Sequence, residues 1–267
     1  MTGDQSRFAV LSIIVPCLNE AEGIGDTLRA LQPLRKRGSE LIVVDGGSRD
    51  GTAELAAPWA DMVLFAARGR ACQMNAGARN ARGGILLFLH ADSVLPLQAD
   101  ALIVDGLNRT RRNWGRFDAR IAGSHPLLRA VELLMNVRSR WTGIATGDQG
   151  IFVTRSLFTA VGGYPEIAFM EDIALTKRLK RFGAPLCLRH RIVTSAQLRD
   201  EIDKGGGNQH TRGEGHDGVQ AVMQPEHRGA AKEGREEGQD AHDPDHRRFP
   251  WQSGHRPNSS RRWLSMR

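Results

Sequence analysis

Acidic, basic and glycine residues that could carry chemistry on a phosphorylated nucleotide are concentrated in four short motifs. Such chemistry needs hydrogen-bond acceptors for the base and ribose, positive charge for the phosphates, and a base for an attacking hydroxyl. Each type of residue occurs in these motifs. They are VVDGGSRDGT at 43–52, GRACQMNAGARNA at 69–81, LFLHADS at 87–93 and MEDIALTKRLKR at 170–181.

The first motif presents Asp45 at the end of an apolar run, followed by Gly46 and Gly47. Glycines let the backbone approach a ligand closely, and Asp45 is a candidate acceptor for a uracil ring N–H or a ribose hydroxyl. A tight turn followed by a helix cap explains Ser48 and Asp50 equally well. Taken alone, the motif leaves both interpretations open.

The third motif places His90 and Asp92 just after another apolar run. Asp92 is a candidate metal ligand, and His90 could support the metal or the phosphates. Oxygen and nitrogen donors of this kind suit Mn²⁺ at least as well as Mg²⁺. The alternative is that Asp92 only caps a helix that begins near Leu97.

The second and fourth motifs each open a predicted helix. Arg70 begins the segment 70–81, where a helix N-terminus and a guanidinium would both attract phosphate; a surface arginine is the alternative. Glu171 and Asp172 fall in the first turn of a helix over 171–182, whose predicted apolar stripe is Leu175, Leu179 and Phe182. Asp172 is a candidate general base, although acids at this position also favour the helix dipole.

The elements that must position these residues alternate between strand and helix. The apolar runs LSIIVP, ELIVVD, ADMVLFAA and GGILLFLHAD predict four strands. Helices are predicted over 20–31, with Asn19 as its cap, and over 52–57 and 70–81. This order is typical of a parallel sheet with helical crossovers, in which ligands bind at the carboxyl ends of the strands. Each predicted strand ends in polar residues, so the candidate residues should meet at one edge.

One further segment, RAVELLMNVRSR at 129–140, is amphipathic. It could face an acceptor or lie on a membrane surface, but ordinary packing of its apolar side into the core is the favoured interpretation.

The bulk composition limits the class of protein. The chain has 267 residues and a net charge of +7, which suits one α/β domain with an extension. No apolar run approaches the ~20 residues that a membrane span needs. Three widely spaced cysteines predict small buried thiols in a reducing cytoplasm. Phosphates are the preferred partners of the basic charge; no nucleic acid is expected, and peripheral contact with the inner face of a membrane remains open.

The last 71 residues, 197–267, differ sharply from the rest. Only 14 of them are hydrophobic, 10 are Gly, and 12 Lys and Arg balance 12 Asp and Glu. Such a segment cannot bury enough apolar area to offset its ordering entropy. The sequence therefore predicts a domain over 1–196 and a tail over 197–267 that is either disordered or the product of a frameshift near codon 196.

Taken in order, the motifs SIIVPCLNE, IVVDGGSRDGT, GRACQMNAGA, LFLHADS, GDQGIFV and MEDIALTKRLKR resemble those of the family 2 glycosyltransferases. The resemblance is nearest to the bacterial branch described as radical-SAM/selenodomain-associated transferases, and it extends from Leu11 to about Ser195. It implies an α/β fold of the GT-A type, a Rossmann-like, mostly parallel sheet flanked by helices. It also implies transfer of a sugar from a nucleotide-sugar donor, expected to be UDP-linked, to the hydroxyl of an unidentified sugar, lipid or small molecule by an inverting single displacement.

The resemblance also implies roles for individual residues. The nucleotide would be bound by Pro16, Asn19, Glu20, Asp45, Gly46, Ser48, Asp50 and Arg70, with Asp45 on the base and Arg70 on the diphosphate. Asp92 would hold Mn²⁺ or Mg²⁺ together with His90, which stands where the family has the first acid of its DxD motif. Asp172 would be the catalytic base beside Glu171. The acceptor side would be shaped by Gly147, Asp148 and Gln149.

Two alternatives remain open at this stage. A nucleotidyltransferase on a similar sheet would normally show a phosphate loop rich in glycine and lysine, which PCLNEAEGIG lacks. A relative that binds nucleotide without turnover is favoured by the segment TSAQLRDEIDKGGG, where such enzymes carry a motif ending in Arg-Trp. A dinucleotide-dependent dehydrogenase is not expected, because no GxGxxG follows the first strand.

Overall fold

The computed structural model describes residues 11–194. Both the predicted boundary at residue 196 and the 197–267 tail lie outside these residues. Within 11–194 the chain forms eight strands: β1 Leu11–Cys17, β2 Glu40–Asp45, β3 Met62–Phe65, β4 Ile85–Phe88, β5 Ser93–Val94, β6 Trp114–Ile121, β7 Ile151–Thr154 and β8 Leu186–Thr194.

The helices alternate with these strands along the chain. They are α1 Ile24–Ala30, α2 Gln32–Lys36, α3 Thr52–Ala56, α4 Arg70–Asn80, α5 Ala99–Thr110, α6 Pro126–Thr142, α7 Arg155–Ala160 and α8 Glu171–Leu179, with short 3₁₀ turns at Gly147–Gln149 and Lys180–Phe182. None of the helices in the described part is long and apolar enough to cross a membrane.

One sheet joins the strands in the order β3-β2-β1-β4-β7-β6-β8-β5. The four strands predicted from sequence are mutually parallel, as expected. β7 then runs antiparallel to β4 and β6, while β6 and β8 are parallel to each other. The prediction of a mostly parallel α/β sheet is confirmed, and its second half adds antiparallel pairing.

The sheet is buried on both faces, because alternate residues of each strand enter different hydrophobic clusters. Ile13 and Val15 pack with α1 residues on one face, whereas Ile14 packs with Met74 of α4 on the other. Helices on both faces are what a buried parallel sheet requires. The carboxyl ends of β1, β2 and β4 therefore open onto one shared edge.

Some predicted element boundaries were wrong. The first helix begins at Ile24 rather than residue 20, and Asn19 does not cap it; Asn19 adopts φ 54° in the preceding loop. The helix expected to begin near Leu97 is α5, which begins at Ala99 with Gln98 as its N-cap, so Asp92 does not cap it. These differences share a cause, since the polar residues after β1 and β4 are engaged in contacts with distant loops.

Three packing predictions also need correction. Phe182 is exposed and lies beyond the end of α8, so the buried stripe of α8 consists of Leu175 and Leu179. Cys17 is buried, but Cys72 and Cys187 are only partly buried. The amphipathic segment forms α6 as expected, but its apolar side faces outward rather than into the core.

Candidate active site

The loops after β1 and β2 are joined by hydrogen bonds from the residues expected to bind nucleotide. The Asn19 amide donates to Ser48 Oγ at 2.8 Å, and Asn19 Oδ1 accepts from the Arg49 amide at 3.0 Å. The amides of Glu20 and Ala21 donate to Thr52 Oγ1 and Asp50 Oδ2, at 2.8 and 3.0 Å. In this structure Asn19, Ser48 and Asp50 thus give the two loops a fixed shape, and Asn19 and Asp50 remain exposed beside them.

Asp45 ends β2 and is fully buried. Its Oδ1 accepts hydrogen bonds of 2.6 Å from the amides of both Gly47 and Ser48. Gly47 has φ 93°, a left-handed conformation that glycine adopts at little cost. Asp45 therefore shapes the turn, and a nucleotide base could not reach its carboxylate without a change in this turn.

Gln73 connects this turn to helix α4. Its buried amide donates to the carbonyls of Cys17 and Val44, at 2.7 and 2.8 Å. A Cβ on Gly46 would lie 3.1 Å from the Gln73 side chain, so glycine permits the close packing here. Arg70 lies one turn before Gln73 on the same helix, and it is held in this way near the ends of β1 and β2.

A second group of side chains forms where the loop after β4 meets the 3₁₀ turn Gly147–Gln149 and the start of α8. His90 Nδ1 lies 3.3 Å from Asp148 Oδ1. The Gly147 amide donates to Asp172 Oδ2 at 2.9 Å. Three segments that are far apart in sequence therefore contribute to one cluster.

Gly147 lies at the centre of this cluster. A Cβ at this position would be 2.2 Å from His90 Nε2 and 2.7 Å from Asp172 Oδ2. No real side chain tolerates such distances, so the absence of a Cβ is what brings the imidazole and the carboxylate together. Both residues are buried.

Several polar atoms of the cluster have no partner. Within residues 11–194, neither ring nitrogen of His90 is aligned for a hydrogen bond, and neither Asp172 Oδ1 nor the Tyr164 hydroxyl makes one of ordinary length. The Tyr164 hydroxyl faces Asp172 all the same, and this interaction contributes to raising the pKa of the phenol. Unsatisfied buried polar atoms are costly and uncommon in native proteins. Their concentration here is typical of a site that a ligand completes.

The electrostatics of Asp172 follow from this setting. Burial raises the pKa of Asp172 above the usual range of an aspartate, and the neighbouring Glu171 adds to the rise. His90, Arg70 and the Gly147 N–H lower the pKa in part. The charge of Arg70, at the start of α4, therefore acts on the Asp172 carboxylate.

Tyr164 packs beside this cluster and is buried. Its burial and the charges of Asp172 and Glu171 raise the pKa of the phenol well above its ordinary value. Asn75 of α4 holds the Tyr164 backbone on both sides, donating to its carbonyl and accepting from its amide at 2.9 Å each. Edge-on contact with the Phe88 ring, centroids 4.9 Å apart, fixes the tyrosine ring.

The residues expected to hold a metal fit that role only in part. Among residues 11–194, no group of three His, Cys, Asp or Glu side chains is arranged to hold an ion. Asp92 is half-buried two residues after His90, and His90 Nδ1 lies 3.3 Å from Asp148 Oδ1. The protein offers a nitrogen and carboxylate oxygens, and a divalent ion bound there would need further ligands from a substrate phosphate.

The remaining sequence-predicted residues are placed as follows. Pro16 is buried within β1, so its side chain does not reach the edge. Gln149 is also buried: its amide donates to Asn136 Oδ1 at 3.3 Å, and its carbonyl oxygen accepts from the Thr146 amide. Asp148 keeps an exposed carboxylate. Of the three residues expected on the acceptor side, Asp148 is therefore the one that presents a polar group outward.

Three residues of the site were not identified from the sequence: Gln73, Asn75 and Tyr164. Gln73 and Asn75 lie within the GRACQMNAGA motif, where polar amides on the sheet-facing side of a helix were a usable signal. Tyr164 is the single tyrosine of the chain and follows Gly162 and Gly163. Nothing in the local pattern indicated that it would lie beside Asp172.

Comparison with known proteins identifies glycosyltransferases among the proteins similar to this chain. Residues 12–157 match the family described as "Glycosyl transferase family 2". The chain is 26% identical over 197 residues to "Probable glycosyltransferase YdaM" of Bacillus subtilis, covering 65% of this chain and 47% of that protein. It is 28% identical over 189 residues to "Poly-beta-1,6-N-acetyl-D-glucosamine synthase" of Staphylococcus epidermidis, covering 64% and 46%. The chain thus spans about half the length of the curated relatives it matches.

Solved structures share the fold. The "Mannosyltransferase PcManGT from Pyrobaculum calidifontis in complex with GDP-Man and Mn2+" superposes with a TM-score of 0.56 at 22% identity, over 72% of this chain and 59% of that one. S. aureus TarS 1-349 in complex with UDP-GlcNAc gives a TM-score of 0.58 at 15% identity, over 73% and 61%. At these identities the likeness concerns the fold alone.

Proposed function

The chain belongs to glycosyl transferase family 2, and we propose on this basis that it transfers a sugar from a nucleotide-sugar donor to an acceptor hydroxyl by an inverting single displacement. The observation that carries the proposal is the environment of Asp172. Its carboxylate is buried, has one unpartnered oxygen, and lies in a cluster with His90 and under the influence of Arg70.

In this proposal Asp172 is the catalytic base. Oδ2 is held by the Gly147 amide, which leaves Oδ1 to accept the proton of the acceptor hydroxyl. A base is most effective when its pKa lies near the working pH, and burial moves the pKa of Asp172 in that direction. The acceptor oxygen forms a bond to the anomeric carbon as the bond to the diphosphate oxygen breaks, so the configuration at that carbon inverts.

Arg70 is proposed to bind the leaving diphosphate. It stands at the first residue of α4, where the helix N-terminus and the guanidinium both favour negative charge. Gln73 and Asn75, one turn further along, tie α4 to the turn after β2 and to Tyr164. We infer that α4 sets the distance between the diphosphate site and the base.

The nucleoside is assigned to the surface formed by the two joined loops after β1 and β2. Asp45 is buried in the turn, so it is proposed to shape this surface rather than contact the base directly. Exposed groups of Asn19, Gly47 and Asp50 line the same loops. Two of the structures that share this fold are complexes with UDP-GlcNAc and with GDP-Man. A UDP-linked sugar is the donor proposed for this chain.

A divalent ion, Mn²⁺ or Mg²⁺, is proposed to be held by Asp92 and His90, with Asp148 close to His90. When bound, such an ion neutralises charge on the diphosphate. The buried ring of His90, whose Nε2 has no hydrogen-bond partner within the described residues, is the observation that supports a ligand here. The acceptor side is proposed to be the turn that carries Asp148.

Thermal unfolding with UDP and Mn²⁺, together with release of UDP from UDP-sugars, tests this function. A ligand at a hundred times its dissociation constant stabilises the folded state by about 2.7 kcal/mol, so Tm should rise clearly. Arg70→Ala should weaken UDP binding about tenfold or more, because a charge-assisted contact is lost. The control is Arg79→Ala, an exposed arginine in the last turn of the same helix.

The outcomes separate three functions. Stabilisation by UDP and Mn²⁺ that is weakened in Arg70→Ala but not in Arg79→Ala, with UDP release, supports the transferase. Binding without any release of UDP identifies a relative that binds nucleotide only. Pyrophosphate release from a nucleoside triphosphate, without UDP binding, would replace the proposal with a nucleotidyltransferase.

A further inference from the structure

Helix α6 packs against the sheet through its polar side. Glu132 Oε1 accepts from the Ile121 amide at 2.6 Å, and Asn136 exchanges hydrogen bonds with the amide and carbonyl of Ala119 at 2.9 and 3.0 Å. Arg140 donates to Asp118 at 2.5 Å. These contacts hold α6 along β6 and leave its apolar side unused for packing.

The opposite side of α6 is apolar and exposed. Six of its large apolar side chains are between 41 and 87% exposed, and Trp141 is the most exposed of them. At 100° per residue they span one continuous arc of the helix. We call this arc the outer face of α6: Leu127, Val131, Leu133, Leu134, Val137 and Trp141.

The outer face continues past the end of α6. Lys180 Nζ donates to the Thr142 carbonyl at 2.6 Å, which brings the 3₁₀ turn Lys180–Phe182 beside the last turn of α6. Phe182 is exposed there. A contiguous apolar surface of this kind is unusual on a soluble domain and marks an interaction site.

Positive charge accompanies the outer face. Arg138 is exposed and lies within the arc, while Glu132 is the one acid in the helix and is buried. Arg129 and Arg140 lie on the sheet-facing side, where they pair with Glu132 and Asp118. Lys180 and Arg181 add cations at the C-terminal end. A cleft of about 340 Å³ beside the helix is lined by Arg129, Arg140 and the exposed Arg191 together with the acids Asp118 and Glu132.

We propose that the outer face of α6 lies in the headgroup region of an anionic lipid bilayer. A helix with an apolar arc that includes Trp and with exposed cations beside it, here Arg138, Lys180 and Arg181, is the pattern that binds such a surface in the plane of the membrane. A second copy of this chain fits less well, because its own exposed cations would face these cations. Residues 197–267 fit less well too, since only 14 of those 71 residues are hydrophobic.

Helix α6 also contacts the candidate site, on the side away from its outer face. Asn136 accepts from the Gln149 side chain at 3.3 Å, and Thr146 lies 3.9 Å from the Met135 sulfur, so α6 directly supports the turn that carries Asp148. A bilayer on the outer face would therefore contact the same helix that supports this turn from its other side. Vesicle binding itself needs no sugar transfer, so it is tested independently of the proposed function.

The test is flotation of the full chain with vesicles of pure phosphatidylcholine and of two parts phosphatidylcholine to one part phosphatidylglycerol. Binding is expected with the anionic vesicles only, and it should weaken at high salt. Leu134→Gln and Trp141→Gln should each lower the partition coefficient about tenfold or more, and Arg138→Gln about fivefold. The control is Leu55→Gln, a half-exposed leucine on α3 beside β2, which should bind as wild type does.

Equal stability of the variants by thermal unfolding separates lost binding from misfolding, since all four side chains are exposed. Absence of binding by the full chain to anionic vesicles overturns the proposal. So does a dimer in light scattering that Trp141→Gln dissociates while vesicle binding is unchanged. Loss of binding in Leu55→Gln to the same degree as in Leu134→Gln would also overturn it.

Discussion

The amide of Gly147 donates a 2.9 Å hydrogen bond to Oδ2 of Asp172, 25 residues further along the chain. This contact fixes one oxygen of a buried carboxylate and leaves Oδ1 without a partner within the described residues. It also joins the turn that carries Asp148 to the start of α8. The position of the proposed base therefore depends on a backbone N–H. A substitution that changes only a neighbouring side chain would leave this N–H in place.

Gly147→Ala should disrupt the site at its centre. The added methyl would lie 2.2 Å from His90 Nε2 and 2.7 Å from Asp172 Oδ2, so one of the two side chains must move. We expect a loss of about 1–3 kcal/mol in the free energy of unfolding and loss of most UDP release. The control is Gly25→Ala, where nothing lies within 4 Å and helix propensity should leave stability equal or higher. Activity that survives Gly147→Ala unchanged would contradict the assigned geometry.

Asp172→Asn should lower the rate of sugar transfer by about 10²–10⁴-fold, because the amide cannot accept the acceptor proton. UDP binding should persist, since the shape of the side chain is kept. Transfer that continues at the wild-type rate would remove Asp172 as the base.

The same substitution should change how stability depends on pH. Burial raises the pKa of Asp172 in the folded state, so its protonation favours folding below the unfolded pKa of about 3.9. That contribution is lost as pH rises through the folded pKa. The Tm of Asp172→Asn relative to wild type should therefore increase from acidic to neutral pH. The measurement is Tm of both proteins from about pH 3 to pH 7, and a difference in Tm that stays constant across this range would contradict the raised pKa of Asp172.

Asn75→Ala should loosen the segment that leads to α8. Asn75 makes two 2.9 Å hydrogen bonds to the Tyr164 backbone, and their loss leaves a buried donor and acceptor unpaired. The free energy of unfolding should fall by about 1–3 kcal/mol, with a measurable loss of transfer. Asn80→Ala removes one hydrogen bond within α4 itself and serves as the control. A Tm equal in both variants would show that the link to Tyr164 does not stabilise the fold.

His90→Asp should make the protein more dependent on a divalent ion. The new carboxylate would join Asp148 and Asp172, and repulsion between like charges should lower Tm in the absence of metal. Mn²⁺ should then raise Tm by more than it does in wild type, because another anionic oxygen binds the ion. The measurement is Tm with and without Mn²⁺ in both proteins. An unchanged response to Mn²⁺ would place the metal away from residue 90.

Local composition was enough to predict the parallel half of the sheet. Short runs such as ELIVVD are buried on both faces, and only a strand covered by helices on both sides accommodates them. That β1, β2, β3 and β4 are parallel followed from the alternation of strand and helix, whereas their order in the sheet was not predicted. The antiparallel β7 and the parallel pair of β6 and β8 were not predicted, because pairing between strands far apart in sequence leaves no local signature.

The sequence predicted several residues of the candidate site but few of the contacts between them. Asp172, His90 and Arg70 were singled out from motif positions, and the structure brings them into one electrostatic environment. The proximity of His90 to Asp148 was not predicted, nor was the complete burial of Asp45. Tyr164 and Asn75 lie 89 residues apart, and no pattern in the sequence connects them.

The sequence alone determined which residues are apolar and the period at which they recur. This period predicted the strands, the helices and the amphipathic character of α6. Only the tertiary structure decided which side of α6 would face the sheet. Periodicity defines an apolar arc but not the surface against which the helix packs. Here the polar arc of α6 forms hydrogen bonds with Ala119 and Asp118 of β6. Contacts between distant side chains depend on distances that neither composition nor period specifies, so the geometry around Gly147 could arise only once the sheet had formed.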